Sequence, residues 1–206
     1  GMIYISFSTE LGTVYTLAEL EALAAVGREY DIPLFIDGAR MGYGLASEGC
    51  DVTIKDIARL ADVFYIGGTK QGALFGEAVV ITNDSLKKDF RYFIKQNGGM
   101  LAKGRLLGIQ FLALFEDGLY FSLSEHAVSL AHKLRAALKA KGYAFLVDSP
   151  GNQQFPILGN ELVKALSSEF GFSVWKKVDE SHTAVRFCTS WATTPDAVDK
   201  LIEALP

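Results

Sequence analysis

A single lysine lies between glycines in the segment "YIGGTKQGALFGEAVVI", residues 65–81. The runs before and after Lys70 are apolar and typical of buried strands, whereas an ammonium group is costly to bury. The small residues around Lys70 allow a ligand to approach the backbone closely. Lys70 is therefore either an exposed turn residue or the amine of a site. In a site, partial desolvation lowers the pKa of a lysine and makes it a Schiff-base nucleophile.

Two further charged residues belong to the preceding apolar strand, "LFIDGAR". The carboxyl ends of neighbouring parallel strands border one crevice, so Asp37, Arg40 and Lys70 are expected to converge. Asp37 can alternatively cap a following helix, and Arg40 can form a simple ion pair; both alternatives stay open. Together the three residues meet the needs of a pyridoxal phosphate site. The lysine binds the aldehyde, and the aspartate keeps the pyridine nitrogen protonated.

Strands and helices alternate in the part of the chain that would position these residues. Strands are predicted in "IYISFS", "IPLFID", "DVFYIGG" and "EAVVIT", and helices in "TVYTLAELEALAAVGREYD" and "VTIKDIARLA". This alternation predicts a parallel or mixed sheet with helices on both faces.

The character of the sequence changes after residue 85. Residues 85–141 are predicted to be mostly helical, with breaks at "NGG" and "EDGLY", and the last third combines short strands with two helices. We predict two domains. Residues 2–100 belong to a large α/β domain, and residues 101–206 form a linking helix and a small α+β domain.

Composition excludes several classes of protein. The 206 residues carry a net charge of −4 without a run of like charges, so no nucleic-acid partner is expected. Cys50 and Cys188 form no CxxC pattern, which favours a reduced, cytoplasmic setting. No uninterrupted apolar run reaches the roughly 18 residues of a membrane span, and no signal-peptide pattern is present, so no membrane partner is expected.

Five segments, taken in order, resemble a known family. They are "STELGTVYTLAELEAL", "DGAR", "GGTKQGALFGEAVV", "KQNGGMLAKGRLLGIQFLALFEDGLY" and "AVRFCTSWATT". The sequence resembles the fold-type I pyridoxal phosphate enzymes. More closely, it is similar to the low-specificity threonine aldolases of the aromatic amino acid β-eliminating lyase/threonine aldolase superfamily. The resemblance covers essentially the whole chain. It implies part of an aspartate aminotransferase-like large domain followed by a small α+β domain.

The resemblance also implies a role for each matching residue. Lys70 would be the Schiff-base lysine, Asp37 would contact the pyridine nitrogen, and Arg40 would lie near the ring 3-hydroxyl. Thr69 would bind the cofactor phosphate. Arg186, within "AVRFCTS", would bind the substrate α-carboxylate, although an arginine among apolar neighbours can also form an internal salt bridge.

Weaker implications concern the loop after the first strand and the start of the long helical region. Ser8, Thr9 and Glu10 would border the substrate, and Lys103 and Arg105 would lie near a subunit boundary, within reach of a phosphate. An ordinary solvated role is the alternative for each of these residues.

Two features of the family are not found at the expected place. Family members carry a glycine- and serine-rich phosphate loop and a ring-stacking histidine or other aromatic residue before the segment that matches residues 3–8. His126, His132 and His182 all fall in the second half of the chain and are expected to be surface or packing residues. We therefore expect the chain to be the carboxyl-terminal part of a longer protein, to bind the cofactor weakly or not at all alone, and to self-associate.

The implied activity is retro-aldol cleavage of a β-hydroxy amino acid, threonine or allo-threonine, to glycine and an aldehyde. A homo-oligomer acting on this small-molecule substrate is expected. Two alternatives stay open. One is a β-eliminating lyase or class V-like aminotransferase that uses the same residues. The other is a catalytically silent fragment with a structural or partner-dependent role.

Overall fold

A four-stranded sheet forms the first half of the computed structural model, which describes residues 1–206. Its strands lie in the order β1 (Ile3–Ser6), β2 (Leu34–Asp37), β3 (Val63–Gly67) and β4 (Glu77–Ile81). The first two pairings are parallel and the β3–β4 pairing is antiparallel. The predicted mixed sheet is thus confirmed. The parallel pairings bring the ends of β1, β2 and β3 to one edge.

Two helices cover one face of this sheet. Helix α1 (Leu17–Glu29) begins at a capping box formed by Thr16 and Glu19, and a second box begins the later helix Ile54–Leu60. Such boxes satisfy backbone N–H groups that the first helical turn leaves free. Alternate strand residues pack with both helices in one buried core, which includes Ile5, Leu20, Ile36, Ile57 and Phe64.

The opposite face of the sheet carries a row of aromatic residues. The rings of Tyr4 and Phe35 stack with centroids 5.4 Å apart, and the ring of Tyr65 lies 6.1 Å from that of Phe35. Tyr4 is 55% exposed. Helices therefore cover this face of the sheet less completely than the first.

In chain order, helices α2 (Met41–Leu45) and α3 (Ile54–Leu60) lie between strands of the first sheet, and helices α4 (Phe90–Gln96), α5 (Arg105–Phe115) and α6 (Leu119–Ala140) connect this sheet to the second half of the chain. Helix α5 ends where Asp117 and Gly118 adopt positive φ angles of 51° and 74°. This break lies within the predicted interruption "EDGLY".

By length and hydropathy alone, the stretch Arg105–Ala140 could cross a membrane. The break at Asp117 and Gly118 divides this stretch into two helices. At about 1.5 Å per residue, the eleven residues of α5 span about 16 Å, short of the roughly 30 Å of a bilayer core. The 22 residues of α6 would span about 33 Å, but this helix carries charged residues such as Lys133 and Arg135 and packs Leu134 and Leu138 into the core of the second sheet. Length and hydropathy are therefore weak evidence for a membrane span here.

A second sheet forms around one central strand. The strands are β5 (Gln153–Gln154), β6 (Ile157–Gly159), β7 (Ser173–Lys177) and β8 (His182–Cys188), and β8 pairs antiparallel with each of the other three. Helices α7 (Asn160–Leu166) and α8 (Pro195–Ala204) belong to the same unit. Its core contains buried residues of α6, the sheet and α8, among them Leu134, Leu158, Val185 and Leu201.

The observed elements confirm the predicted α/β class with a small α+β unit at the end. Strand β1 ends at Ser6, two residues before the predicted end, and α2, β5 and β6 were not predicted. These three elements have two to five residues, too few to produce a periodic apolar pattern. The division into domains at residue 100 stays a prediction.

Candidate active site

Lys70 lies in a tight turn that is fixed on both sides. The turn Thr69–Gln71 connects β3 and β4, and Gly72 ends it with a φ of 104°. The Gly68 N–H donates to the Glu77 carboxylate over 2.7 Å, and the Tyr43 hydroxyl donates to the Lys70 carbonyl oxygen. The backbone that carries the amine is therefore held by two elements, β4 and α2.

The surroundings of Lys70 lower the pKa of its amine. The Lys70 side chain keeps solvent access. Desolvation by the surrounding protein atoms nevertheless lowers its pKa, and the nearby positive charge of Arg40 lowers it further. The negative charges of Asp37, Glu10 and Glu77 act in the opposite direction without cancelling this effect. A lysine with a lowered pKa is a better nucleophile at neutral pH.

Asp37 ends β2 and is held in its ionised form. Its carboxylate accepts hydrogen bonds from the Tyr4 hydroxyl and, over 3.0 Å, from the Ala39 N–H. Burial raises the pKa of Asp37, but these bonds, another from Tyr65 and the charge of Lys70 outweigh burial and lower it. Helix α2 begins after Arg40, so Asp37 does not occupy its N-cap.

Arg40 and Arg186 form ion pairs with the same carboxylate, that of Glu10. Oε2 of Glu10 lies 3.4 Å from Nη1 of Arg40, and Oε1 of Glu10 lies 2.8 Å from Nη1 of Arg186. The ion pair with Glu10 is the internal salt bridge that the sequence analysis left open for Arg186. The Arg186 guanidinium also lies 4.9 Å from the ring centre of Trp175, and the Nε of Arg186 is buried without a hydrogen-bond partner.

A cavity of about 280 Å³ lies between the two halves of the chain, at the edge of the first sheet where β2 and β3 end. Its lining includes Arg40 and Lys70 from the first half and Cys188 and Trp191 from the second. The Cys188 side chain keeps solvent access, but the atoms packed around its thiol raise its pKa. The charges of Arg186, Arg40, Glu10 and Lys70 all act on this thiol as well. Arg40 and Lys70 line the cavity itself, and Glu10 and Arg186 lie close enough for their charges to act on the same thiol.

The remaining sequence candidates are placed differently. Thr69 lines the cavity beside Lys70, and Ser8 is buried after β1. The hydroxyl of Thr9 lies 2.7 Å from that of Thr13, so Thr9 closes the loop that carries Glu10. Lys103 and Arg105 are exposed at the start of α5.

The three histidines have structural partners. Nε2 of His126 lies 2.8 Å from the Thr193 carbonyl oxygen, and Nε2 of His132 lies 2.7 Å from that of Pro150. Nδ1 of His182 lies 3.0 Å from the Asp179 carboxylate. These contacts agree with the predicted packing or surface roles.

Sequence analysis missed Glu77, Tyr4, Tyr65 and Tyr43. Glu77 pairs with Gly67 in the register of β3 and β4, and its pKa is raised by burial. A charged residue at the start of an apolar strand, seven positions after Lys70, was a usable signal. The tyrosines offered no comparable signal, because aromatic residues are common in any strand.

Comparison with known proteins identifies the family. The model of the family described as beta-eliminating lyase matches residues 1–157. The chain belongs to the beta-eliminating lyase family. This confirms the resemblance stated from the sequence.

Two curated members of comparable similarity are low specificity L-threonine aldolases. The protein from Pseudomonas aeruginosa is 31% identical over 202 residues, and that from Pseudomonas sp. strain NCIMB 10558 is 31% identical over 206 residues. Each alignment covers 97% of this beta-eliminating lyase family chain and 57% of the relative. The chain thus spans less than two thirds of the curated relatives it matches.

Solved structures show the same similarity. A threonine aldolase of Leishmania major is 45% identical and superposes with a TM-score of 0.97, over 99% of this chain and 60% of the other. An aminotransferase from Staphylococcus aureus is 14% identical, with a TM-score of 0.69 over 99% of this chain and 57% of the other. The second likeness concerns the fold alone, which is that of the fold-type I enzymes.

Proposed function

We propose that the chain is part of a threonine aldolase-type lyase that uses pyridoxal phosphate to cleave a β-hydroxy amino acid to glycine and an aldehyde. The observation that carries the proposal is the convergence of three groups where the edge of the first sheet meets β8 of the second. They are the Lys70 amine with a lowered pKa, the ionised Asp37 carboxylate and the Arg186 guanidinium with an unpaired Nε. The similarity to threonine aldolases supports the choice of reaction.

The donor set fits the cofactor. Lys70 would hold the aldehyde carbon, since its lowered pKa makes the amine a better nucleophile. Asp37 would bind the pyridine nitrogen, because its carboxylate stays ionised over the neutral range. When bound, the cofactor supplies an electron sink for the bond broken at the substrate Cα. Arg40 would bind the ring 3-hydroxyl, and Thr69, which lines the cavity beside Lys70, would reach the phosphate.

The substrate would be oriented by its carboxylate. Arg186 would bind this group, because a guanidinium matches a carboxylate with two parallel N–H donors. Ser8 and Thr9 would border the substrate through the loop that carries Glu10, which the Thr9–Thr13 contact closes. The substrate class is therefore a small amino acid with a free carboxylate.

The proposal also includes self-association through helix α5 and a cytoplasmic location. Leu106, Ile109 and Leu112 of α5 are 52%, 55% and 69% exposed, and such an apolar surface favours association. We expect a homo-oligomer that buries this surface, and the two free cysteines suit a cytoplasmic setting. Lys103 and Arg105 lie at the start of the same helix and would be near a subunit boundary.

The test mixes the protein with an excess of pyridoxal phosphate and divides the mixture into two samples. Glycine is added to the first sample to record the absorbance change, and the second is reduced with borohydride without glycine, because glycine would displace the lysine from the cofactor. Peptide mass spectrometry then locates the lysine that carries the pyridoxyl group. We expect Lys70 to be modified preferentially, and Lys70→Ala to lose both the absorbance change and this modification. Lys95→Ala, on the exposed helix α4, is the control. Equal modification of all lysines, or no difference between the wild-type protein and Lys70→Ala, would contradict the proposal.

The description of the family favours β-elimination as the second candidate. The same lysine and aspartate would serve this reaction. Product analysis separates the two reactions, since aldol cleavage of threonine releases glycine, whereas elimination releases a 2-oxo acid and ammonia.

A further inference from the structure

Glu10 links the two arginines of the site. Its two carboxylate oxygens bind different guanidinium groups, that of Arg186 over 2.8 Å and that of Arg40 over 3.4 Å. The Glu10 side chain is 62% exposed, whereas those of Arg186 and Arg40 are 18% and 15% exposed. A solvent-accessible carboxylate thus compensates two largely buried cations.

Arg186 does not use its strongest binding mode with Glu10. Only Nη1 contacts Glu10, and it also contacts Gln153 over 3.3 Å. Nη2 has a long contact of 3.5 Å with Ser173, and Nε has no partner. A buried donor without a partner is costly, and guanidinium groups bind carboxylates best through two parallel N–H groups. A free carboxylate can therefore gain more from Arg186 than Glu10 does.

The charges around the cavity also favour the binding of a free carboxylate in place of Glu10. Three cationic side chains, Arg40, Arg186 and Lys70, act on the Cys188 thiol, and Glu10 is the anionic side chain that acts on it with them. If Glu10 moves toward the solvent that already reaches it, Arg186 and Arg40 lose the carboxylate that they share, and an anion at the same place meets both of their positive charges. Charge alone thus favours its replacement by another carboxylate.

We propose that Glu10 is the resident carboxylate of a subsite for small monocarboxylates, and that a ligand carboxylate binds by replacing Glu10 on Arg186 and Arg40. The inference rests on the proposed function where it identifies that ligand as the substrate carboxylate. Glu10 touches no reacting atom in this scheme. It is a positioning residue that sets the affinity for the carboxylate.

The test compares acetate binding to the wild-type chain and to Glu10→Gln by calorimetric titration, at constant ionic strength and without cofactor. We expect Glu10→Gln to bind acetate at least about tenfold more tightly, because it has lost the competing charge. Glu10→Gln combined with Arg186→Met should lose the gain. Equal affinity in the wild-type protein and Glu10→Gln, or weaker binding by Glu10→Gln, overturns the proposal.

A matched control lies elsewhere in the chain. Glu48 forms an ion pair with Arg135, and their side chains are 64% and 16% exposed, close to the values for Glu10 and Arg186. Glu48→Gln removes the same charge from a similar pair, so we expect unchanged acetate affinity. A tenfold gain in Glu48→Gln would show a nonspecific effect of net charge and would also overturn the proposal.

The rate of Cys188 alkylation provides a second measurement of the same subsite in the folded variant. The charge of Glu10 raises the pKa of Cys188, so the rate of Cys188 alkylation should shift to lower pH in folded Glu10→Gln, and acetate should slow it. No protection by acetate in this variant overturns the proposal. Since neither measurement needs the cofactor, a failure to modify Lys70 with pyridoxal phosphate would refute the proposed function separately.

Discussion

The Tyr4 hydroxyl donates a hydrogen bond to the Asp37 carboxylate, although the two residues are 33 positions apart. The parallel pairing of β1 and β2 brings them together, since Ser6 is the register partner of Asp37 and Tyr4 lies two residues before Ser6. Successive strand residues point to opposite faces, so Tyr4 and Asp37 share the aromatic face of the sheet. The charge of the site carboxylate therefore depends on a neighbouring strand.

Replacing Tyr4 with phenylalanine should raise the pKa of Asp37. The carboxylate loses a hydrogen bond that favours its ionised form. At pH 7 we expect Tyr4→Phe to lower the free energy of unfolding by about 1 kcal/mol. A lowered pKa in the folded protein stabilises it above the pKa of the unfolded chain, and this contribution is lost as pH falls through the folded pKa.

The measurement for Tyr4→Phe is a carbon-detected NMR titration of the Asp37 carboxyl, with Asp37→Asn for assignment, together with urea unfolding at several pH values. The difference in stability from wild type should shrink at acidic pH. An Asp37 pKa that is unchanged or falls would mean that Tyr4 does not hold the carboxylate in its ionised form.

The pH dependence of acylation at Lys70 should report the charge of Arg40. Desolvation and Arg40 lower the pKa of Lys70, so in wild type it should be acylated at lower pH than the surface lysines. Arg40→Met removes one of these causes and should shift the Lys70 profile to higher pH. Competitive acylation followed by mass spectrometry measures all lysines in one sample. Arg59→Met, on α3, should leave the profile unchanged, and a shift to lower pH in Arg40→Met would contradict this interpretation.

Gly38 should tolerate no side chain. A Cβ at this position would lie 1.8 Å from the backbone oxygen of Tyr65, which is fixed in β3. We expect Gly38→Ala to lower the free energy of unfolding by about 3 kcal/mol or more, because strand backbone must move. The strand ends that carry Asp37 and Lys70 would move with it.

Gly108 is the comparison for Gly38. It lies within α5, and a Cβ there meets no atom within 4 Å. Gly108→Ala should therefore stabilise the protein by about 0.5–1 kcal/mol. Denaturant unfolding of the two variants tests both values, and equal stability of Gly38→Ala and wild type would show that the strand ends adapt.

The apolar surface of α5 should control self-association. Leu112 is 69% exposed on this helix, and Leu112→Glu places a charge in the contact that we expect between copies. At micromolar concentration, light scattering should give a smaller mass for Leu112→Glu than for wild type, approaching the 22.4 kDa of one chain. Val174→Glu is matched in exposure, at 67%, but lies on β7 and should keep the wild-type mass. A reduced mass in both variants would reject α5 as the specific contact.

Local sequence patterns were enough to predict most strands and helices and to place Asp37 and Lys70 at neighbouring strand ends. Alternating apolar runs predicted the strands, and the position of Asp37 at a strand end and Lys70 in the turn after the next strand predicted that they converge. Such patterns are local, because a strand or helix exposes its periodicity within a few residues. The short helix α2 and strands β5 and β6 escaped prediction, since they are no longer than the pattern that would reveal them.

The ion pairs, hydrogen bonds and pKa values of these residues depend on tertiary contacts. Glu10 and Arg186 lie 176 positions apart, and their contact requires the second sheet to pack beside the end of β1. The bond from Tyr4 to Asp37 depends on the register of two strands, and that from Gly68 to Glu77 on the return of β4 along β3. Hydrogen bonds and pKa values change over a few ångströms. They are fixed by packing between distant segments, which no local pattern in the sequence records.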